Sequence, residues 1–207
     1  MKSILKHFLM FAGLTIALSS LNGCGNNAAS NDAPNVSSKA NTNANTVLVS
    51  STDYPPLASG LANAEFSLLD GTKFKVADKK GKVILLNIWG TWCGPCRAEM
   101  PELKALQDKY RDREFEIIGL NIGEDDGSTP EPLDRVKKFV EQMELNYTIG
   151  ISGKESSQQF YAVTKESVVP QSILIDRQGR LRGVFAGAGP RIYQSLRDSI
   201  EKVVNES

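Results

Sequence analysis

Val83 to Trp89 is a nearly continuous apolar run, and a few residues beyond it Cys93 and Cys96 stand at the head of a helical pattern. A run without polar alternation suits a strand covered on both faces, which requires helices on both sides of a sheet. Pro95 to Arg111 reads as a helix with Met100, Leu103, Leu106 and Tyr110 on its buried side, and Pro101 should kink it. A buried strand that turns directly into a helix, with two cysteines at the turn, points to an α/β domain whose chemistry sits at that turn.

The remaining pattern extends the same architecture. Glu65 to Leu69 and Thr72 to Val76, joined by Asp70-Gly71, read as a hairpin. Phe115 to Asn121 is a second buried strand. Pro132 to Leu145 is an amphipathic helix with Leu133, Val136, Phe139, Val140 and Met143 on its apolar side. A short strand at Tyr147 to Ile151 and a short helix at Glu155 to Ala162 follow. Ser172 to Ile175 and Leu181 to Phe185 form a hairpin around Asp176-Arg177-Gln178-Gly179, and a last helix spans Pro190 to Val204. There is no internal repeat.

Before this domain the chain has a different character. Residues 1–23 carry a short basic start and an apolar stretch from Phe8 to Leu18, too short to span a bilayer comfortably and built like a secretory signal. Leu21-Asn22-Gly23-Cys24 resembles the bacterial lipobox, although Asn22 departs from the small or apolar residue usual there. That resemblance implies cleavage before Cys24 and lipidation of its thiol. Residues 24–60 read as a tether: Gly25 to Thr46 is dominated by Asn, Ala, Ser and Thr, and Tyr54-Pro55-Pro56 looks like an extended connector. Residues 61–207 are then the folded domain.

Charge and histidine content exclude several functions. Basic and acidic residues balance at 24 each, which offers no nucleic-acid surface. His7 is the sole histidine, so the domain has no imidazole for a Ser-His-Asp or Cys-His arrangement or for a two-histidine zinc site. No metal and no cofactor is expected. A haem attachment would need histidine after Cys96, where Arg97 stands. A purely structural bridge across two intervening residues would close too small a loop to stabilise much.

Redox chemistry fits the cysteine pair. A nucleophilic thiol must be a thiolate, and a helix N-terminus favours that form through free amide N–H groups and a positive dipole end. Cys93, at the exposed end, is expected to attack a substrate disulfide, and Cys96, one turn in, to resolve the mixed disulfide. Pro95 suits a first helical turn. Trp92 would cover the pair and form an apolar rim for substrate.

Trp92-Cys93-Gly94-Pro95-Cys96 resembles the thioredoxin active site, and the longer run Asn87 to Pro101 is similar to the TlpA/ResA branch of that family. The resemblance covers about residues 61–205. It implies a thioredoxin fold, a central mixed sheet flanked by helices, with an N-terminal hairpin and a central insertion between Asn121 and Tyr147. It also implies a cis-proline at Pro170, after Val168-Val169, beside the cysteines. The substrate groove would then be formed by Trp92, Gly94, Pro95, Val169 and Pro170, with the backbone of Val169 pairing with the bound chain.

Asn87 stands where thioredoxin has a buried aspartate, and thioredoxin's neighbouring lysine would fall near Gly119. The proton acceptor for Cys96 is thus unassigned. Glu99 reads as a solvated helix residue or a nearby acceptor, with the former preferred, and Trp89 reads as core.

The resemblance implies partners as well: exported proteins with cysteine pairs, apocytochrome c among them, and a membrane-embedded electron donor. The domain would face the periplasm or another extracytoplasmic space. Gly94-Pro95 favours a reductant over a disulfide-forming oxidant. A copper carrier on the same fold would need a histidine ligand, and a non-catalytic binding module would need inert cysteines.

Overall fold

The computed structural model describes residues 54–127 and 130–206. The expected signal segment, Cys24 and most of the tether lie outside the described residues. Among those described, no helix is long and apolar enough to cross a membrane.

Among the described residues seven strands form one sheet in the order β2-β1-β5-β4-β3-β6-β7. The central pair is β3 (Val83–Trp89) and β4 (Phe115–Asn121), parallel and in register from Val83 opposite Phe115 to Trp89 opposite Asn121. β5 (Thr148–Ile151) extends the sheet in parallel beside β4, and the hairpin of β1 (Phe66–Leu68) and β2 (Lys73–Phe74) closes that edge in antiparallel fashion. On the other side β6 (Gln171–Ile175) runs antiparallel to β3, and β7 (Leu181–Ala186) pairs with β6. The parallel strands need crossovers through helices, which the sequence supplies between them.

Side-chain alternation along β3 divides the core in two. Val83, Leu85 and Trp89 face one apolar cluster with α2 (Gly94–Tyr110), α3 (Leu133–Gln142) and α5 (Pro190–Asn205). Ile84, Leu86 and Ile88 face the other, with Leu61 of α1 (Ser59–Ala62) and Phe160 of α4 (Lys154–Thr164). Every residue of β3 is buried, as its sequence requires.

Several boundaries differ from expectation. Val76 leaves the strand and begins a short 3-10 helix to Lys79, so the first hairpin is brief. α3 ends before Leu145, and Leu133 is exposed at its start; among the residues of that helix Val136 alone is fully buried. α4 is longer than expected at both ends. α2 continues through Pro101.

The packed domain begins before residue 61. Pro56 bridges Arg180, the Leu57 amide donates to the Gly179 carbonyl at 3.0 Å, and the Leu57 side chain is buried. The Tyr54 ring lies 4.0 Å from the Arg182 guanidinium, which is itself paired with Glu206. An extended Tyr-Pro-Pro segment has the composition of a linker, yet its open backbone can hydrogen-bond to a neighbouring turn, and Leu57 supplies apolar area to seal the contact.

Candidate active site

The two cysteines meet where the β3 chain enters α2. Cys93 is the N-cap residue of that helix, and its Sγ accepts a hydrogen bond from the Cys96 amide at 3.1 Å. The pair forms a disulfide with 5.3 Å between Cα atoms. Gly94 and Pro95 occupy the first helical turn, where the missing proline N–H costs no helical hydrogen bond. Cys93 is not openly exposed as its position at the helix tip suggested. It is 3% accessible against 0% for Cys96, because the bridged sulfurs turn into the apolar cluster that holds Trp89, Met100 and Leu196.

Trp92 and Val169 pack against that cluster from the outside, each half-buried. The Trp92 indole N–H donates to the Gly123 carbonyl at 2.8 Å. Gly90 is needed for this pose, since a Cβ there would lie 2.6 Å from the indole ring. The Val169–Pro170 peptide bond is cis, and Pro170 is buried at the start of β6. A groove of about 470 Å³ includes both Trp92 and Val169 in its walls, together with Ile122 and Tyr161. Trp89 is core, fully buried and stacked on Phe139.

Of the two expectations for Glu99, the preferred one, a solvated helix residue, does not hold: its carboxyl is buried on α2, one turn after Cys96. Glu99 is 4% accessible, and its Oε1 accepts a hydrogen bond from Asn87 Nδ2 at 2.7 Å. Asn87 in turn donates to Ser172 Oγ at 3.1 Å. Burial pushes the Glu99 pKa up to about 7, and the Asn87 hydrogen bond opposes that rise without cancelling it. Glu99 is three residues beyond Cys96, so the two share one helix face. Gly119 pairs with Asn87 in the register, as anticipated, and contributes no cation to this chamber. Burial, with the Glu99 charge second, also holds the Tyr147 phenol above its usual range.

A periodic signal for Glu99 was present: with Cys96, Leu103, Leu106 and Tyr110 it completes the buried stripe of α2. Glu131, between β4 and α3, is also buried. Flanked by Pro130 and Pro132, it has no periodic pattern to reveal it.

The chain matches the redoxin family over residues 28–203. It belongs to that family. Among redoxin relatives it is 33% identical over 138 residues to the thiol-disulfide oxidoreductase ResA of Geobacillus thermodenitrificans, covering 66% of this chain and 74% of that protein. It is 37% identical over 135 residues to ResA of Bacillus thuringiensis strain Al Hakam, covering 65% and 71%. A solved thiol:disulfide interchange protein of the thioredoxin family from Chlorobium tepidum superimposes with a TM-score of 0.59 at 25% identity, covering 73% of this chain and 97% of that one. The fold is thioredoxin-like, and the protein is a TlpA/ResA-like thiol–disulfide oxidoreductase.

Proposed function

We propose that this oxidoreductase works outside the cytoplasm, lipid-anchored through Cys24, and reduces disulfides in exported proteins with paired cysteines, apocytochrome c among them. The observation that carries the two-step chemistry is the placement of Glu99, buried one turn below Cys96 with its pKa near neutrality. A carboxylate poised at that pH is matched to take a proton from a thiol.

In the reduced enzyme the Cys93 thiolate attacks one sulfur of the substrate disulfide, forming a mixed disulfide and releasing the other sulfur as a thiolate. Cys96 passes its proton to Glu99 and attacks Cys93 Sγ. The second substrate thiolate leaves, two electrons have moved to the substrate, and the enzyme holds the Cys93–Cys96 disulfide. Trp92, Gly94, Pro95, Val169 and Pro170 line the docking edge, where the Val169 backbone pairs with the extended substrate. A dithiol donor in the membrane returns the two electrons.

Gly94-Pro95 and the lack of a histidine between the cysteines support a potential near thioredoxin's, about −270 mV, rather than the strong oxidant's, about −120 mV. Glutathione titration of the purified protein tests the direction, together with thiol trapping of Cys93 and Cys96 in cells. A low potential and a mostly reduced pair are expected. A potential of about −120 mV with an oxidised pair would identify a disulfide-forming enzyme instead. Intact-mass analysis checks the anchor: acyl chains on Cys24 are expected, and their absence would remove the lipid attachment from this proposal.

A further inference from the structure

Glu131 links the active-site turn, at Thr91, to the end of β4, at Asn121. Its side chain has no solvent exposure. Oε1 accepts from the Thr91 backbone N–H at 2.8 Å and from Asn121 Nδ2 at 2.9 Å. Oε2 accepts from the Thr91 hydroxyl. Asn121 Oδ1 then accepts from the Gly123 amide at 3.2 Å, and the Gly123 carbonyl accepts the Trp92 indole N–H at 2.8 Å. Thr91 and Trp92 are adjacent in sequence, so the hydrogen bonds close a ring around the residue that precedes Cys93.

We propose that Glu131 is a positioning residue for the exchange reaction, fixing Trp92 beside Cys93 so that the rim is ready for a polypeptide disulfide. The substrate class rests on the function proposed above. A carboxylate suits this place because it supplies acceptors only, and its three partners are all donors. Donors buried around it are costly to leave without a partner. Arg135 stands 4.0 Å from Oε2 but is engaged more closely by Glu124, at 2.8 and 3.0 Å, so the ring is held by Thr91 and Asn121. The central segment between β4 and α3 thereby acts on the catalytic turn without entering it.

Truncation and isosteric replacement have different consequences. Glu131→Ala leaves the Thr91 N–H, the Thr91 hydroxyl and the Asn121 amide without their acceptor, and the ring opens. Glu131→Gln keeps it closed: its carbonyl oxygen serves Thr91 N–H and Asn121, and its amide donates to the Thr91 hydroxyl oxygen, which can accept as well as donate.

The test uses the whole protein labelled with 5-fluorotryptophan. Its two tryptophans give a reporter at the site, Trp92, and an internal control, Trp89. In Glu131→Ala the Trp92 fluorine resonance should shift or broaden while that of Trp89 stays in place. KM for a polypeptide disulfide should rise about tenfold, the order expected when a positioning contact is lost, with kcat and the rate on a small-molecule disulfide held within about twofold. Glu131→Gln should restore both readings. An unmoved Trp92 resonance with unchanged KM in folded Glu131→Ala overturns the proposal, as does a Glu131→Gln variant as impaired as the alanine. If Glu131→Ala does not fold, Asn121→Ala opens the same ring on the Gly123 side and must produce the same Trp92 shift and KM rise. The fluorine spectra need no substrate, so a wrong substrate class, seen as a wild type that does not turn over polypeptide disulfides, is separable from a wrong role for Glu131.

Discussion

Glu99 on α2 and Glu116 on β4 are two largely covered carboxyls, and their proton affinities move in opposite directions. Glu116, near the start of β4, receives Lys82 at 2.8 Å and Lys79 at 2.9 Å. Burial would raise it, but the hydrogen bonds and charges of those two lysines outweigh burial and hold its pKa below the usual range. Glu99, at the site end, has among the described residues a single amide donor and no cation, and burial prevails up to about 7. A carboxylate neutralised by lysines is a fixed charge that staples strands together. One left in an apolar setting becomes able to exchange a proton near neutral pH, which marks the chemical end of the domain.

The largest effect expected from breaking this division is at the cysteines themselves. Cys93→Ser should reduce disulfide exchange by at least ~10³-fold, as loss of a covalent nucleophile does. Cys96→Ser should accumulate mixed disulfides on Cys93, seen as covalent adducts on non-reducing gels. Equal trapping by the two variants would overturn the order of attack.

Glu99→Gln keeps an oxygen that can accept from Asn87 but cannot take a proton from Cys96. Resolution of the mixed disulfide should slow about a hundredfold, the lower end for loss of a proton acceptor. The wild-type resolving rate should rise with pH through about 7, and stopped-flow profiles of the variant should lose that step. Preservation of the step would assign the titration to another group.

The same substitution sharpens the comparison in stability. A carboxyl whose pKa is raised by folding contributes stability that is complete below its unfolded value of about 4.5 and is lost as pH rises through about 7. Glu99→Gln should therefore unfold like wild type near pH 4 and be more stable at pH 8, by on the order of 3 kcal/mol. Denaturant midpoints at the two pH values check it, and a variant less stable at pH 8 would show that the buried charge is compensated.

The smallest effect belongs to Glu116→Gln. Its lysines are partly solvated, so the loss at pH 7 should be about 1 kcal/mol or less, with exchange activity unchanged. Here the folding-induced shift is downward. The contribution of Glu116 is present above its unfolded pKa and disappears as the pH falls through the folded one. Wild type and variant should thus converge in acid, and raised salt should narrow the gap at neutral pH.

The strand from Val83 to Trp89, the helix after it and the cysteine pair at their junction were legible in the chain because apolar periodicity and a short motif are local properties. The thioredoxin resemblance, rather than any local pattern, pointed to Gly119 as the neighbour of Asn87, and the parallel register pairs the two. Tertiary structure alone decided that Tyr54 to Leu57 belong to the fold, since their partners Gly179, Arg180 and Arg182 lie more than a hundred residues away. It also decided the character of the carboxyls. A glutamate in a helix has the same letter whether its face meets water or β3, and Glu99 acquires its proton affinity from the sheet and helices that close over it. Glu131 acquires its partners in the same way, from Thr91 and Asn121 on two other segments of the chain. Desolvation and hydrogen-bond satisfaction are properties of assembled surroundings, and a linear pattern specifies them only after the chain has packed.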